Sequence, residues 1–393
     1  MSEQLYLLQT LIIGAGMFLL FRTHPRVVHF QILLWTLGVT GIAWRFGLVE
    51  QLNFYSNDQR YYQEVVEKLL TEQSLVSDTS LIESLKLPYT GSALLLTTAG
   101  IHPALALKTI SLVSFLVLTS DLLRRNEERG IGNSLRLLFF TGCGGIGIFF
   151  SVLALRETMM MLFAYRYATR TSAVSRIISL AMIYLLRPHL AVALAVGQML
   201  ATSWSWLSRG KRIGQLWTVL MVVLSSTIGS ALYSLQSYLR SGGSDFLQGI
   251  LGVSRATRVA SNLVGLQFLT VPEGTVNFSL TTLLLLRLVF SETVLIPLGF
   301  TLVCFVLAQK VTFQSQFTLC AFAIYVSIVT KTDFNSFRQN IPFMPLMGIA
   351  IIDMIRMRQL ERLDSRLHQS DSSPAASASI TSSKRQIEAT STG

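Results

Sequence analysis

The chain has 393 residues, 51% of them hydrophobic and 13% charged, against about 25% charged in an ordinary soluble domain, and this excludes a soluble globular protein. The net charge of +11 comes from 32 Lys and Arg set against 21 Asp and Glu; the basic residues cluster between apolar runs, so they report orientation and lipid contact and argue against a nucleic-acid partner. Cys143, Cys304 and Cys320 lie inside apolar runs without metal-ligand spacing, so neither a disulfide nor a zinc site is expected.

Apolar runs of about 20 residues, enough to cross a bilayer, recur as far as residue 357. The expected fold is all-α, a polytopic membrane helical bundle of about eleven spans. Residues 1–362 form the membrane domain and residues 363–393, rich in Ser, Ala and Thr, a disordered tail.

Arg22 and Arg26 follow the first run, 5–21; Arg124, Arg125 and Arg129 follow 102–123; Arg166, Arg170 and Arg176 follow 157–168. Further basic groups stand at Arg209, Lys211, Arg212, Lys310, Arg356, Arg358, Arg362 and Arg366. By the positive-inside rule these face the cytoplasm, which puts the C-terminus there too. Alternation places residues 45–101, the Arg156–Glu157 and Arg187–Pro188 turns, and residues 240–279 and 331–341 outside. The expected location is a multi-pass position in the cell (inner) membrane.

After a second span, 27–44, the outer loop contains Ser56-Asn57-Asp58-Gln59, a capping-box helix start. Tyr61, Val65 and Leu69, and beside them Tyr62, Val66 and Leu70, recur at i+4 and make one apolar stripe. Such a helix suits a membrane surface. Two readings of Asp58 stand: it starts the helix, or it projects a carboxylate from the edge of the apolar face. A weaker amphipathic piece covers 75–87, Pro88–Gly91 breaks the pattern, and 92–99 reads as a short apolar turn.

In the run 136–154, Gly142-Cys143-Gly144-Gly145-Ile146-Gly147 fits the letters GxGxxG. No βαβ pattern surrounds it and no acid follows at the required distance, so the glycines are expected to permit close helix packing. Arg156 and Arg187 then stand at the outer ends of spans, where an arginine facing lipid is costly. Each is expected to point into the bundle or to snorkel to headgroups. Glu157 adjoins Arg156, but adjacent helical residues diverge and need not pair. The outer segment 240–279 carries Asp245, and Lys331 to Arg338 carries Asp333 before the final span, whose first turn suits Pro342 and Pro345.

An acid on an outer surface helix with arginines converging from other spans suits chemistry on a lipid phosphate, because the guanidinium fork matches phosphate oxygens. Asn57-Asp58-x-x-Tyr61-Tyr62, Leu155-Arg156-Glu157, Leu186-Arg187-Pro188 and Phe337-Arg338-x-x-Ile341-Pro342 together resemble the short motifs of GT-C membrane glycosyltransferases. The resemblance covers most of the membrane domain. It implies sugar transfer from a polyprenyl-phosphate-linked donor to a glycan or protein acceptor on the outer face, without a cofactor. It also implies that Asp58 is the base on the acceptor hydroxyl and Arg338 a contact to the donor phosphate. Arg187 and Arg156 are further candidate phosphate contacts, Tyr61 and Tyr62 candidate substrate contacts, and Glu157, Asp245 and Asp333 alternative bases. Unlike many members, the acidic loop follows the second span and holds one acid where two are common. The alternatives are an O-antigen-type oligosaccharide polymerase and a non-enzymatic lipid or polysaccharide transporter.

Overall fold

The computed structural model describes residues 3–50, 58–71, 86–128, 134–207, 215–241, 295–306, 312–329 and 337–370, and the regular structure among them is all helical. In chain order the first helices are α1 (Glu3–Leu20), α2 (Arg26–Glu50), α3 (Asp58–Thr71), α4 (Leu87–Thr98), α5 (Pro103–Glu128), α6 (Ser134–Phe140) and α7 (Gly145–Val152). They are followed by α8 (Glu157–Thr169), α9 (Ala173–Leu186), α10 (Pro188–Leu207), α11 (Gln215–Ser241), α12 (Leu295–Val306), α13 (Phe313–Val329), a 3-10 segment (Phe337–Phe343) and α14 (Met344–Ser370).

Among the described residues, four stretches are long and apolar enough to cross a membrane: Glu3–Leu20, Arg26–Trp44, Pro103–Glu127 and Asn340–Gln359. Shorter apolar helices are Ala173–Leu186, Thr218–Ser234, Leu295–Val306 and Phe313–Val329. The lipid-facing sides are legible from burial. α1 buries Tyr6, Thr10 and Gly14 while exposing Leu5, Leu8, Leu11 and Ile12, and α9 buries Ser179, Ile183 and Leu186 while exposing Val174, Ile177 and Ile178. Helices that turn so much apolar surface outward are stable when lipid covers it. α13 is the centre of the bundle, buried at every residue from Ser315 to Val329. α10 and α11 approach it through glycine: a Cβ on Gly197 would sit 2.7 Å from the Ala321 backbone, and one on Gly229 would sit 2.6 Å from the Ile324 carbonyl.

The structure departs from the sequence reading in four places. The run 136–154 is not one helix, because α6 ends in a Schellman motif: Gly142 is left-handed at φ 70°, Cys143 N–H donates to the Leu138 carbonyl at 2.9 Å and Gly142 N–H to the Phe139 carbonyl at 3.1 Å. The freed Cys143 carbonyl accepts from Gln31 Nε2 of α2 at 3.0 Å, so the break is paired and not strained open. Of residues 92–99, read as a turn, 92–98 belong to α4 and Ala99 caps it, because Pro88 occupies the first turn of that helix, where its missing amide proton is harmless. α2 continues to Glu50, six residues past the expected span end at Trp44. α14 runs to Ser370, beyond the boundary placed at residue 363, because the charged end Arg356 to Arg366 continues a helical pattern. The second weak amphipathic piece, residues 75–85, lies outside the described residues.

Candidate functional site

Three breaks in the helical pattern place polar side chains at one end of the bundle. The first is the end of α7, a second Schellman motif in which Leu155 N–H donates to the Phe150 carbonyl at 3.4 Å. Its left-handed residue is Ala154, at φ 56° and fully buried. Non-glycine residues held there cost about 1–2 kcal/mol, and the turn is braced from outside: Ser111 Oγ of α5 donates to the Leu155 carbonyl at 3.0 Å and shares a 2.9 Å hydrogen bond with the Tyr89 hydroxyl of α4. Burial pushes the Tyr89 phenol well above its ordinary pKa, with the Ser111 hydrogen bond opposing, so Tyr89 stays neutral. Arg156 and Glu157 emerge from this turn at the start of α8.

The second break is Arg187, whose extended backbone (φ −158°, ψ 94°) precedes Pro188. It ends α9 and leaves that helix's last carbonyls without intrahelical donors. Arg156 Nη1 donates to one of them, Leu186 O, at 2.9 Å. Arg187 Nη1 donates to the Tyr325 hydroxyl of α13 at 2.8 Å, and Arg187 Nη2 lies 3.9 Å from Glu157 Oε1. Glu157 therefore pairs across helices with Arg187 and not with its chain neighbour.

The third is the 3-10 segment that opens α14. Phe343 packs its ring 5.2 Å from Tyr325 and 5.3 Å from Phe322, centroid to centroid, and the segment lies against α8. The segment carries the backbone of Arg338, whose side chain lies outside the described residues.

Helix α3 covers the cluster. Tyr62, Val65 and Val66 are buried, but Tyr61 and Leu70 are 43% and 41% exposed, so the apolar stripe is narrower than its sequence pattern. It packs on α4 and α5. The Tyr62 ring meets Tyr89 edge-on at 5.5 Å, and the Arg156 guanidinium lies 5.8 Å from the Tyr62 centroid. Tyr61 stands against Tyr62 at 5.6 Å, on the open side. Asp58 is the first residue of α3, one helical turn before Tyr62; its side chain, like all of Asp245 and Asp333, lies outside the described residues.

Of the residues singled out in the sequence, the structure brings Arg156, Glu157, Arg187 and Tyr62 together. Tyr89, Ser111, Thr158 and Tyr325 were not anticipated. Tyr89 lies in the Pro88–Gly91 break and Thr158 directly follows Arg156-Glu157, while Ser111 and Tyr325 sit within largely apolar helical runs. Two donors in the cluster are incompletely used: Arg156 Nε and Thr158 Oγ1 are buried and have no hydrogen-bond partner among the described residues. No group of three or more His, Cys, Asp or Glu that could hold a metal occurs among the described residues. No protein-family model, curated protein or solved structure matches the chain.

Proposed function

We propose that the protein is a GT-C-type membrane glycosyltransferase that moves a sugar from a polyprenyl-phosphate-linked donor to an acceptor on the extracytoplasmic face, in the synthesis of cell-envelope polysaccharide or glycoconjugate. The observation that carries this reading is the buried Arg156 Nε–H and Thr158 hydroxyl, donors without an acceptor among the described residues, beside a second guanidinium at Arg187. An unsatisfied buried donor costs about 1–3 kcal/mol. A phosphate oxygen would satisfy the Arg156 Nε–H, and arginine binds phosphate with two parallel bonds.

In the proposed reaction the acceptor hydroxyl oxygen attacks the anomeric carbon of the donor sugar. The bond from that carbon to the phosphate oxygen breaks, and polyprenyl phosphate leaves with the bonding pair, its charge met by Arg156, Arg187 and Arg338. The hydroxyl proton goes to Asp58. Glu157 is the poorer base, since its carboxylate is 1% exposed and already faces Arg187; it orients that guanidinium instead.

Full-length purified protein given a polyprenyl-phosphate sugar is expected to release polyprenyl phosphate. Asp58→Asn still suits a helix start but accepts no proton, so turnover is expected to fall by about a hundredfold to ten-thousandfold with donor binding retained. Absence of release from any such donor, or full turnover by a stable Asp58→Asn protein, overturns the assignment of Asp58 as base in this reaction.

A further inference from the structure

At the end of α8 away from Arg156, three guanidiniums gather about the last turn of the helix. Arg166 Nε donates to Asp121 Oδ2 of α5 at 3.2 Å, and Arg170 Nη2 donates to the same oxygen at 3.4 Å. Arg176, in the first turn of α9, lies over the Tyr167 ring, 5.2 Å from its centroid. Tyr167 is buried and meets the Phe317 ring of α13, so the platform beneath Arg176 is held by the core. Three arginines set against the one carboxylate of Asp121 leave this turn with positive charge in excess. Farther along α5, Arg124 and Arg125 are matched in number by Glu127 and Glu128 and leave that excess uncancelled.

Asp121 takes one N–H from each of two guanidinium forks, and the Arg166 and Arg170 side chains are 30% and 49% exposed, so an outside acceptor can reach the rest. Beside Arg176, Val174, Ile177 and Ile178 of α9 are each more than half exposed. That apolar face is stable when hydrocarbon covers it. Charge and apolar surface together select the occupant. Guanidinium forks match phosphate oxygens. A zwitterionic headgroup brings a further cation to a face that already holds an excess, and a soluble phosphate gains nothing from the apolar residues. A phospholipid whose headgroup is net negative meets both requirements.

We propose that the end of α8 and the start of α9 bind an anionic phospholipid, its phosphate on Arg170 and Arg176 and its acyl chains along Val174, Ile177 and Ile178. Asp121 fixes Arg166 and Arg170 in place while neutralising only part of their charge.

The test uses full-length protein in detergent and lipids of matched chains carrying glycerol, ethanolamine or choline headgroups, with retention measured by native mass spectrometry. Phosphatidylglycerol is expected to bind at least about tenfold more tightly than either zwitterionic lipid, roughly the effect of two basic residues beside an anionic headgroup. Arg170→Gln combined with Arg176→Gln is expected to bring that preference below about threefold. Arg22→Gln combined with Arg26→Gln removes the same charge from exposed arginines elsewhere and is expected to leave the preference intact. Equal retention of the three lipids by the wild-type protein, which needs no variant to fold, overturns the proposal. An equal loss of preference in the two double variants overturns it too, because the lipid then answers to net charge and not to this site. Displacement of phosphatidylglycerol by an equal concentration of glycerol phosphate would assign the arginines to a soluble phosphate and overturn the lipid occupant.

Discussion

Two clusters of arginine and acid, one at each end of the bundle, show how differently the same residue types behave. At one end Arg187 and Glu157 pair at 3.9 Å with side chains 10% and 1% exposed. At the other, Asp121 Oδ2 accepts from Arg166 Nε at 3.2 Å and from Arg170 Nη2 at 3.4 Å, with arginine side chains 30% and 49% exposed and the acid 23%. The exposed cluster has better hydrogen-bond geometry, yet water and salt screen it, so its net contribution is about 0–1 kcal/mol. The buried pair is longer, but it is shielded from water and salt, so its charges interact through a medium that screens them little. Good geometry at the surface is therefore a weaker constraint than poor geometry in the interior, and the buried end is the one built around other residues: Tyr325 from α13, Leu186 O from α9, and Tyr62 over Arg156.

The comparison breaks most visibly in the acids. Glu157→Ala is expected to destabilise the protein by about 3–5 kcal/mol, the usual cost of removing one partner of a buried ion pair, whereas Asp121→Ala should cost no more than about 1 kcal/mol. Denaturant midpoints in mixed micelles measure both. Raising salt should erase the Asp121 effect and leave the Glu157 effect, because exposed charges are screened and buried ones are not.

A smaller effect tests the packing that holds the Arg156 turn. Gly147 of α7 lies against the Phe115 ring of α5, where a Cβ would overlap it. Gly147→Ala is expected to cost about 1–3 kcal/mol, while Gly41→Ala, at a site open to space, should cost nothing measurable. Thermal unfolding of the two variants side by side gives the difference.

Ala154→Gly acts in the opposite direction. Relief of the left-handed strain, about 1–2 kcal/mol, less the backbone freedom that glycine restores to the unfolded chain, about 0.5–1 kcal/mol, leaves a stabilisation of roughly 0.5–1 kcal/mol. If turnover falls while the melting temperature rises, the strain belongs to the positioning of Arg156.

The smallest effect is in pH. His102, just before α5, stacks edge-on against Tyr6 at 5.6 Å, and burial lowers its pKa, with Glu67 opposing. Because the folded pKa lies below the unfolded one, the unfolded chain binds the proton first as pH falls below about 6.5. Stability is then expected to decline with falling pH through that window. His102→Gln should flatten the melting-temperature profile between about pH 7 and pH 5.

Much of the site was written in short motifs. The Leu155-Arg156-Glu157 and Leu186-Arg187-Pro188 stretches announced polar groups at helix ends, because a proline and a polar pair interrupting apolar runs have few other physical roles. The pairing was not legible. Glu157 chose Arg187 over its neighbour Arg156 because consecutive side chains on α8 diverge while the end of α9 passes close by.

Composition and charge distribution, by themselves, determined that the chain is helical and membrane-embedded, since transfer of apolar runs from water dominates any local preference. The periodicity of α3 likewise marked Tyr61, Tyr62, Val65, Val66, Leu69 and Leu70 as one apolar stripe, of which the structure buries Tyr62, Val65 and Val66. Tertiary structure alone decided that this face packs on α4 and α5, that the glycine run splits 136–154 into two helices, and that Tyr325 completes the Arg187 site. The reason is the same in each case. Side-chain period tells which face is apolar, but what covers that face, and which free carbonyl or hydroxyl lies opposite a donor, depends on residues distant in the chain, 30 positions for Arg156 with Leu186, 112 for Gln31 with Cys143 and 138 for Arg187 with Tyr325.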